Sequence, residues 1–378
     1  LTGTLLNGCE GLTALTLPPS VTAINADACA TCKNLATVNF SEGLLGIGAR
    51  AFQNCTKLDA VELPYSVNNV QANAFSGCTG LTRVFAPNVN LVAPGAGAFA
   101  GCDHIADVTI PISWIPAVTF PAAVGTALKT IRLADGTTVV TGPGLAFGNC
   151  TALTDLTISD SVMRMARVAI DLDGALIFSG CYALRSVYYL GDYAPTVGAD
   201  LYFDSYPGLV SLVGTSSKGW KSVTSTALPA DSLWPVRREG DKDSQTDYGR
   251  EIRNYDECKV TYDPCNGEPT ATKRYVKGRK VGQLLRPPTK EGCVFGGWYT
   301  SATAGSRLSN TSVISADQNL FARWTAVQYE IDYDLGEDSE WVSNPTTYTY
   351  GKAVTLAKPT REWYTFTGWT LNGETVTQ

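Results

Sequence analysis

The stretch Cys55–Cys78, CTKLDAVELPYSVNNVQANAFSGC, decides the fold of the first part of the chain. Apolar and polar residues alternate from Val61 to Leu63, and a buried-type aromatic residue, Phe75, stands three residues before the second cysteine. Alternation with a period of two is typical of a strand that buries one face. Pro64 ends this strand, because proline has no N–H to donate to a sheet.

The same unit recurs along the first half of the sequence. Cysteines at positions 9, 32, 55 and 78 are spaced by 23 residues, and later units begin at positions 102, 150 and 181. A repeat of this length predicts a solenoid, in which each coil buries its apolar edges against its neighbours. With one coil that lacks its cysteine and one degenerate coil near Leu209, we predict about nine coils. The irregular coils after Cys102 and Cys150, the second with an insert at 163–175, are candidates for a binding role, since insertions in solenoids often gather on the binding face.

Composition excludes several classes of function. The net charge is −6 with 17% charged residues, which gives no indication of a nucleic-acid partner. No run of 18 apolar residues occurs, so no transmembrane segment is expected in this chain. The single histidine, His104, leaves little basis for a histidine-based triad or a Cys/His zinc site. Phosphate-binding and nucleophile-elbow motifs are also missing from the sequence, so we expect no enzyme, no metal site and no cofactor.

The repeat pattern Ala-Phe-x-x-Cys-x-x-Leu-x-x-Val-x-Leu-Pro-x-Ser-Val resembles the BspA-like leucine-rich repeat of bacterial cell surfaces. The resemblance covers residues 1–214, and residues 215–238 are similar to the tail that caps such arrays. Residues 239–257 are polar and without periodicity, which indicates a linker. What the resemblance implies is a cell-surface or secreted protein that uses the solenoid for adhesion to a host or neighbouring-cell surface protein or glycan.

Two copies of a different unit follow the linker. VTYD at 260–263 matches IDYD at 331–334, and PTKEGCVFGGW at 288–298 matches PTREWYTFTGW at 359–369, both with an offset of 71 residues. These copies resemble the Listeria–Bacteroides repeat of internalin B type, an α/β module of β-grasp character. Their expected bounds are 258–325 and 326–378, the second truncated before its equivalent of LFARW at 320–324. In the second copy Trp363 replaces the usual glycine, which places the tight approach of the backbone there in doubt.

The sequence therefore predicts an α/β repeat protein in which a leucine-rich-repeat solenoid precedes two small β-grasp-like repeats. We expect the protein to be extracellular, monomeric and non-enzymatic, with the C-terminal repeats as spacers or further adhesive modules. The alternative is a non-catalytic, glycan-binding part of a larger surface enzyme or glycan-handling system. Aromatic platforms clustered on one face would favour this alternative.

The eleven cysteines fall into two groups. Those of the solenoid form a ladder at the spacing of strands, about 4.8 Å, and this distance alone does not exclude disulfides. Because parallel side chains in a ladder disfavour the S–S torsion, we expect reduced thiols that pack as small apolar groups. Cys258, Cys265 and Cys293 lie outside the ladder and are candidates for one disulfide in an exported module, with Cys265–Cys293 the first choice and three free thiols the alternative.

The outward positions of the coil strands are the candidate binding surface. Phe85 and Tyr188 are the large groups predicted to be exposed on it, and Arg83 and Arg132 flank them. Aromatic and arginine side chains are the usual anchors of protein interfaces, so these four residues are our candidate binding site. The competing interpretation is that they are scattered surface residues without a binding role.

Overall fold

The computed structural model describes residues 5–114, 126–137, 139–140, 150–162, 164–165, 181, 183–191, 196–197, 210–214, 251–335, 343–371 and 374–375. The chain forms two compact units. The first comprises Leu1–Thr261, Ala271–Arg286 and Leu308–Asn319, and the second Tyr262–Thr270, Pro287–Arg307 and Leu320–Gln378. The cap expected at residues 215–238 and most of the insert at 163–175 lie outside the described residues.

The solenoid of the first unit consists of short strands that alternate between two walls. The front wall holds β1 (Ala14–Thr16), β3 (Thr37–Asn39), β5 (Ala60–Glu62), β7 (Arg83–Phe85), β8 (Asp107–Ile110), β9 (Thr130–Leu133), β11 (Asp155–Ile158), β13 (Ser186–Tyr189) and β15 (Val210–Gly214). The return wall holds β2 (Ala23–Ile24), β4 (Gly46–Ile47), β6 (Asn69–Val70), β10 (Val139–Val140), β12 (Arg164–Met165) and β14 (Thr196–Val197). Strands pair in parallel within each wall, as stacked coils require, in the sheets β1-β3 and β5-β7-β8-β9-β11-β13-β15 of the front wall and β2-β4-β6 and β10-β12-β14 of the return wall.

The register of the front wall confirms the in/out alternation read from the sequence. Val61 pairs with Val84 and Val84 with Val108, and all three side chains are buried. On the return wall Ile24, Ile47 and Val70 form a second buried row. The core of each coil therefore lies between the two walls, and each coil covers the apolar edge of the next.

Phenylalanines fill the middle of the regular coils. The rings of Phe52, Phe75 and Phe99 stack at centroid distances of 5.4 Å, and all three are fully buried. The irregular coil after Cys102 continues this row through a 3-10 helix, Ile112–Trp114, which places the buried Trp114 ring 5.8 Å from Phe99. The phenylalanines expected at the same place in later coils, Phe147, Phe178 and Phe203, lie outside the described residues.

Two details differ from the sequence-based expectation. About five turns are regular, from β1 to β8, whereas the four later front strands, β9 to β15, continue the sheet from irregular coils. The described residues contain strands and the one 3-10 helix, so the α part of the predicted α/β class is not found among them. Coils of about 23 residues leave room for turns rather than a full helix between their walls.

The described end of the segment expected to be a linker contains a strand. Its last residues form β16 (Glu251–Tyr255), which pairs in parallel with β15 and extends the front wall. Tyr255 donates its hydroxyl to the carbonyl of Tyr189 at 3.0 Å and packs with Tyr188 and Leu190. A polar sequence gave no sign of this strand, because its pairing is satisfied by backbone groups.

The strands beyond the solenoid are β17 (Glu257–Asp263), β18 (Ala271–Val276), β19 (Arg279–Lys280), β20 (Cys293–Tyr299), β21 (Val313–Ile314), β22 (Gln318–Ala326), β23 (Gln328–Glu330), β24 (Thr347–Thr349), β25 (Thr370–Leu371) and β26 (Glu374–Thr375). In the first unit β19 pairs antiparallel with β21. In the second unit β20 pairs antiparallel with β22, with a bulge between Phe295 and Gly297.

An aromatic cluster forms the core of the second unit. Trp298 lies 4.8 Å from Tyr262 and 5.3 Å from Phe295, edge to face. The second repeat reproduces both contacts 71 residues later, because Trp369 lies 5.4 Å from Tyr333 and 5.4 Å from Phe366. These shared contacts confirm that the two copies identified in the sequence are repeats of the same structural module.

Candidate binding face of the solenoid

The four candidate binding residues lie on the front wall of the first unit. Arg83 and Phe85 belong to β7, Arg132 to β9 and Tyr188 to β13. The pairing of Phe85 with Thr109 and of Thr109 with Arg132 places these side chains in one outward row, which Tyr188 extends through Thr157. The structure thus brings the four residues to a single face.

Their exposure was predicted wrongly. Phe85, Arg132 and Tyr188 are only 6%, 8% and 7% exposed, and Arg83 is half-buried. The reason is a segment of the same unit, Ala271–Arg286, which we call the cover. The cover lies over this part of the front wall and encloses with it a cavity of about 440 Å³.

The best-defined contact of the cover involves Arg279. Its guanidinium lies over the ring of Tyr188, 4.4 Å from the centroid, and also bonds the carboxylate of Asp155 at 3.0 Å. Stacking of an arginine on an aromatic ring contributes about 0.5–1 kcal/mol at exposed sites. Tyr188 and Asp155 come from adjacent front strands, so the solenoid itself builds this arginine pocket.

A buried charge cluster forms where the cover meets β9. Arg132 bonds the Asp135 carboxylate at 2.9 Å, and Lys273 of the cover bonds its second oxygen. Burial and the nearby Arg132 hold the pKa of Lys273 well below its usual value, and burial lowers the pKa of Arg132. Asp135 therefore contacts two buried basic side chains, one from the solenoid and one from the cover.

Gln283 joins the cover to two loops of the solenoid. Its side chain is fully buried, accepts the backbone N–H of Asp135 at 2.9 Å and donates to the hydroxyl of Tyr65 at 3.0 Å. That hydroxyl in turn donates to the carbonyl of Leu284 at 3.0 Å. A buried amide with both ends paired fixes the register of the cover on the wall.

Gly282 allows the close approach of the cover to Arg132. A β-carbon at this position would lie 2.8 Å from Arg132 Cδ, and the backbone has a φ of +71°, which favours glycine. A larger residue would strain the backbone here and require the Arg132 side chain to move. The glycine is therefore part of the fit between the two surfaces.

The first coils of the front wall are open. Thr16, Thr37 and Asn39 are exposed, and Asn39 donates to the hydroxyl of Thr16 at 3.0 Å. The candidate face is thus divided into an open part, from β1 to β5, and a covered part, from β7 to β13. The open part is small and polar, whereas the covered part carries the arginines and aromatic rings.

Sequence reasoning missed the acidic partners on this face and the cover itself. Asp107 and Asp155 occupy equivalent positions at the start of β8 and β11, each paired with Thr130 of β9. One signal for the cover was available, since the run KRYVKGRK at 273–280 is strongly basic in an otherwise acidic protein. Its docking position depends on contacts between residues more than 100 apart, for which periodicity gives no information.

The cysteine ladder is a structural feature of the core. Thiols of Cys55, Cys78 and Cys102 are buried and donate to main-chain carbonyls of the preceding coil at 3.1–3.2 Å. Burial raises the pKa of Cys29 and of Cys102 to about 12. The ladder cysteines are free, so their role is packing and a weak hydrogen bond between coils.

Cys265 and Cys293, our candidate disulfide pair, are both free and partly exposed in the structure. His104 is exposed, and its Nδ1 lies 3.0 Å from the carbonyl of Thr79. In the described part of the chain, no group of three or more His, Cys, Asp or Glu side chains is arranged to hold a metal ion. No helix among the described residues is long and apolar enough to cross a membrane.

Comparison with known families accounts for both kinds of repeat. Residues 4–120 match the BspA type leucine-rich repeat region in six copies. Residues 259–323 and 329–378 match the Listeria-Bacteroides repeat domain. The chain therefore joins BspA-type leucine-rich repeats to Listeria–Bacteroides repeats. This is the order in which the two resemblances were read from the sequence.

Individual relatives match only parts of the chain. Internalin H of Listeria monocytogenes is 34% identical over 84 residues, which is 22% of this chain and 15% of the relative. A putative membrane protein of Evansella cellulosilytica is 37% identical over 89 residues, 22% of this chain and 13% of the relative. The matched part thus spans about a seventh of the length of these curated relatives. Among solved structures, the T. pallidum leucine-rich repeat protein is 24% identical, with 46% of this chain and 78% of the other covered and a TM-score of 0.33.

Proposed function

We propose that this is a non-enzymatic bacterial cell-surface or secreted protein that binds a surface protein of a host or neighbouring cell through the front wall of its solenoid. The observation that carries the proposal is the front wall itself. Its strands stack in parallel in two successive sheets, β1-β3 and β5 to β16, and its outward row changes from small polar groups in the open part to arginine and aromatic groups in the covered part.

The open part offers a protein partner a flat surface with hydrogen-bonding groups. Thr16 and Asn39 are fixed to one another, so little side-chain freedom is lost when a partner binds them. Similarity to internalin H and to BspA-type repeats supports a surface interaction role. The C-terminal repeats would then act as spacers or further adhesive modules.

The absence of an assembled acid, base and nucleophile in the described residues supports the non-enzymatic part of the proposal. Asp135 and Asp155 are engaged in ion pairs, and burial raises the pKa of the Cys29 and Cys102 thiols to about 12. The single histidine contacts a backbone carbonyl at the surface.

A pair of matched substitutions tests the proposed face. Asn39→Arg places a long cation in the open part of the front wall, whereas Asn69→Arg makes the same change at an exposed strand position of the return wall. We expect binding of the full chain to immobilised host matrix and cell-surface proteins to fall at least about tenfold for Asn39→Arg alone, through steric and charge mismatch. Equal binding by both variants would reject the front wall as the site.

A glycan-binding function is favoured by one specific feature of the second unit. Trp363 is 92% exposed with a φ of +67°, and the neighbouring Tyr364 is also exposed. The equivalent position in the first repeat is Gly292, whose φ is +62°, so the tryptophan keeps a glycine-type backbone and presents its ring to solvent. Adjacent exposed rings form a platform of the type that sugars stack on.

A glycan array decides between the two functions. Binding of the chain to a defined glycan, lost in Trp363→Ala and kept in Asn39→Arg, would establish the glycan function instead. Binding to proteins with no glycan signal, lost in Asn39→Arg and kept in Trp363→Ala, is the result that the protein-binding proposal predicts.

A further inference from the structure

The covered part of the front wall has the chemistry of a receptor for a basic segment. Its contacts with the cover pair an acid of the solenoid with a base of the cover in each case. Asp135 pairs with Lys273, Asp155 with Arg279 at 3.0 Å and Asp107 with Lys280 at 3.7 Å. In these three pairs the acid belongs to the solenoid and the base to the cover, which is a complementary arrangement of charge, and Asp135 also pairs with Arg132 of the solenoid itself.

The contacts recognise side chains and main chain together. The Arg279 guanidinium is held by a ring on one face and by a carboxylate at its edge. The Leu284 carbonyl is held by the Tyr65 hydroxyl, and Gln283 bonds a backbone N–H of the solenoid. Specific side-chain pockets combined with a main-chain contact are typical of the recognition of an extended peptide.

Apolar packing completes this surface. Tyr188, Leu190 and Tyr255 form a small cluster on the front wall, and Val276 of the cover packs against it. The basic residues of the cover therefore surround an apolar anchor. This combination of a buried centre and a charged rim is that of a protein interface rather than of a chance surface contact.

We infer that the covered part of the front wall is a binding site for basic, extended polypeptide segments, and that the cover occupies it as an internal ligand. The inference rests on the proposed function in taking the front wall as the binding surface, and it adds the class of partner. A partner of this site carries an arginine that enters the Tyr188–Asp155 pocket and further cations opposite Asp107 and Asp135. In the closed chain such a partner competes with the cover.

Because the cover and an added peptide compete for the same site, the experiment measures the apparent affinity of the chain for the peptide. A tethered segment acts at an effective concentration on the order of millimolar, so it masks the site from a weaker external ligand. Substitutions that weaken the cover leave the site intact and raise the apparent affinity for a peptide added from outside. The cover residues Arg279 and Gln283 are suited to this, because they belong to the ligand and not to the receptor.

The probe is a labelled peptide with the sequence of residues 271–286, ATKRYVKGRKVGQLLR, added to the full chain. We expect the double variant Arg279→Ala, Gln283→Ala to bind this peptide at least about tenfold more tightly than the wild-type chain, by fluorescence anisotropy. The matched control is Lys277→Ala, which removes an exposed cation of the cover that forms no ion pair with the described residues. It should leave the affinity of the chain at the wild-type value.

Specificity is tested on both partners. We call the double variant Arg279→Ala, Gln283→Ala the opened chain. Adding Asp155→Asn to it should weaken peptide binding about tenfold. A peptide carrying Arg279→Ala should show the same loss. Because a change in the peptide cannot unfold the chain, the peptide variant decides the case even if Asp155→Asn is unstable. A shuffled peptide of the same composition should bind at least tenfold more weakly.

Equal binding of the peptide by wild-type and opened chains would overturn the inference, and so would equal binding of the native and shuffled peptides. The proposed function fails separately. If Asn39→Arg and Asn69→Arg bind surface proteins equally while the peptide behaves as expected, the receptor site stands without the proposed adhesive face. If surface proteins bind but the peptide does not, only the present inference is lost.

Discussion

The inward and outward side chains of the same front strands are buried by different parts of the chain. Inward residues such as Val61 and Val84 repeat with the coil and are buried by the neighbouring coils alone. Outward residues such as Phe85 and Tyr188 vary from coil to coil, and their environment comes from the cover, about 100 to 190 residues away in sequence. Local repetition therefore determines the core, whereas long-range contacts determine the binding face.

The largest expected difference concerns thiol reactivity. Buried ladder thiols such as Cys78 and Cys102 become accessible only when coils open, which requires a large part of the free energy of unfolding. Native labelling at pH 8 should therefore be on the order of a thousandfold slower for them than for the partly exposed Cys265 and Cys293. Mass spectrometry of labelled peptides measures both rates.

A count of thiols in the unfolded, unreduced protein completes that test. The structure predicts that all eleven cysteines react. Nine reactive cysteines, with Cys265 and Cys293 protected, would establish the disulfide that the sequence suggested. Fast native labelling of the ladder would mean that the solenoid core is not packed as described.

The second prediction compares the two sides of one coil. Leu58→Ala removes a fully buried side chain next to β5 and should reduce the free energy of unfolding by about 2–5 kcal/mol. Glu62→Ala, on the outward side of β5, breaks only a partly exposed ion pair with Arg83 and should cost about 0–1 kcal/mol. Denaturant unfolding of both variants gives the comparison, and similar losses would mean that the two sides are wrongly assigned.

How much the sequence predicts follows from the same distinction. The position of every front strand from β1 to β13 follows from the spacing of residues such as Cys55 and Val61, because each coil makes the same local contacts. The alternation also placed Arg132 and Tyr188 on one face correctly. Their burial could not be predicted, because the fit of Gly282 over Arg132 and the pairing of Asp155 with Arg279 depend on tertiary contacts alone.

The third prediction concerns the buried amide of the cover. Gln283→Ala leaves the backbone N–H of Asp135 and the hydroxyl of Tyr65 without their partner. An unpaired buried polar group costs about 1–3 kcal/mol. Because both groups bond to Gln283 of the cover, this cost destabilises the state in which the cover lies on the front wall. Hydrogen exchange of residues 271–286 should accelerate by about 5- to 150-fold, whereas exchange of the solenoid core should stay unchanged.

The control for that measurement is Lys277→Ala, at an exposed position of the cover. Its exchange should match the wild type. If Gln283→Ala accelerates exchange of the coils around Phe52 and Phe75 as strongly as exchange of the cover, the cover is not a separable element and the division of the face into open and covered parts does not hold.

The smallest expected effect is that of salt on the cover. The pairs Arg279–Asp155 and Lys280–Asp107 are partly exposed, so 1 M NaCl, with a screening length of about 3 Å, should remove most of their attraction. Exposed pairs contribute about 0–1 kcal/mol each, so exchange of residues 271–286 should accelerate by no more than about tenfold. The buried contact of Lys273 with Asp135 is shielded from ions and keeps the cover in place. Salt should therefore loosen the rim of the contact without opening it, and full release of the cover at 1 M NaCl would show that the exposed pairs, rather than Gln283 and the buried cluster, hold it closed.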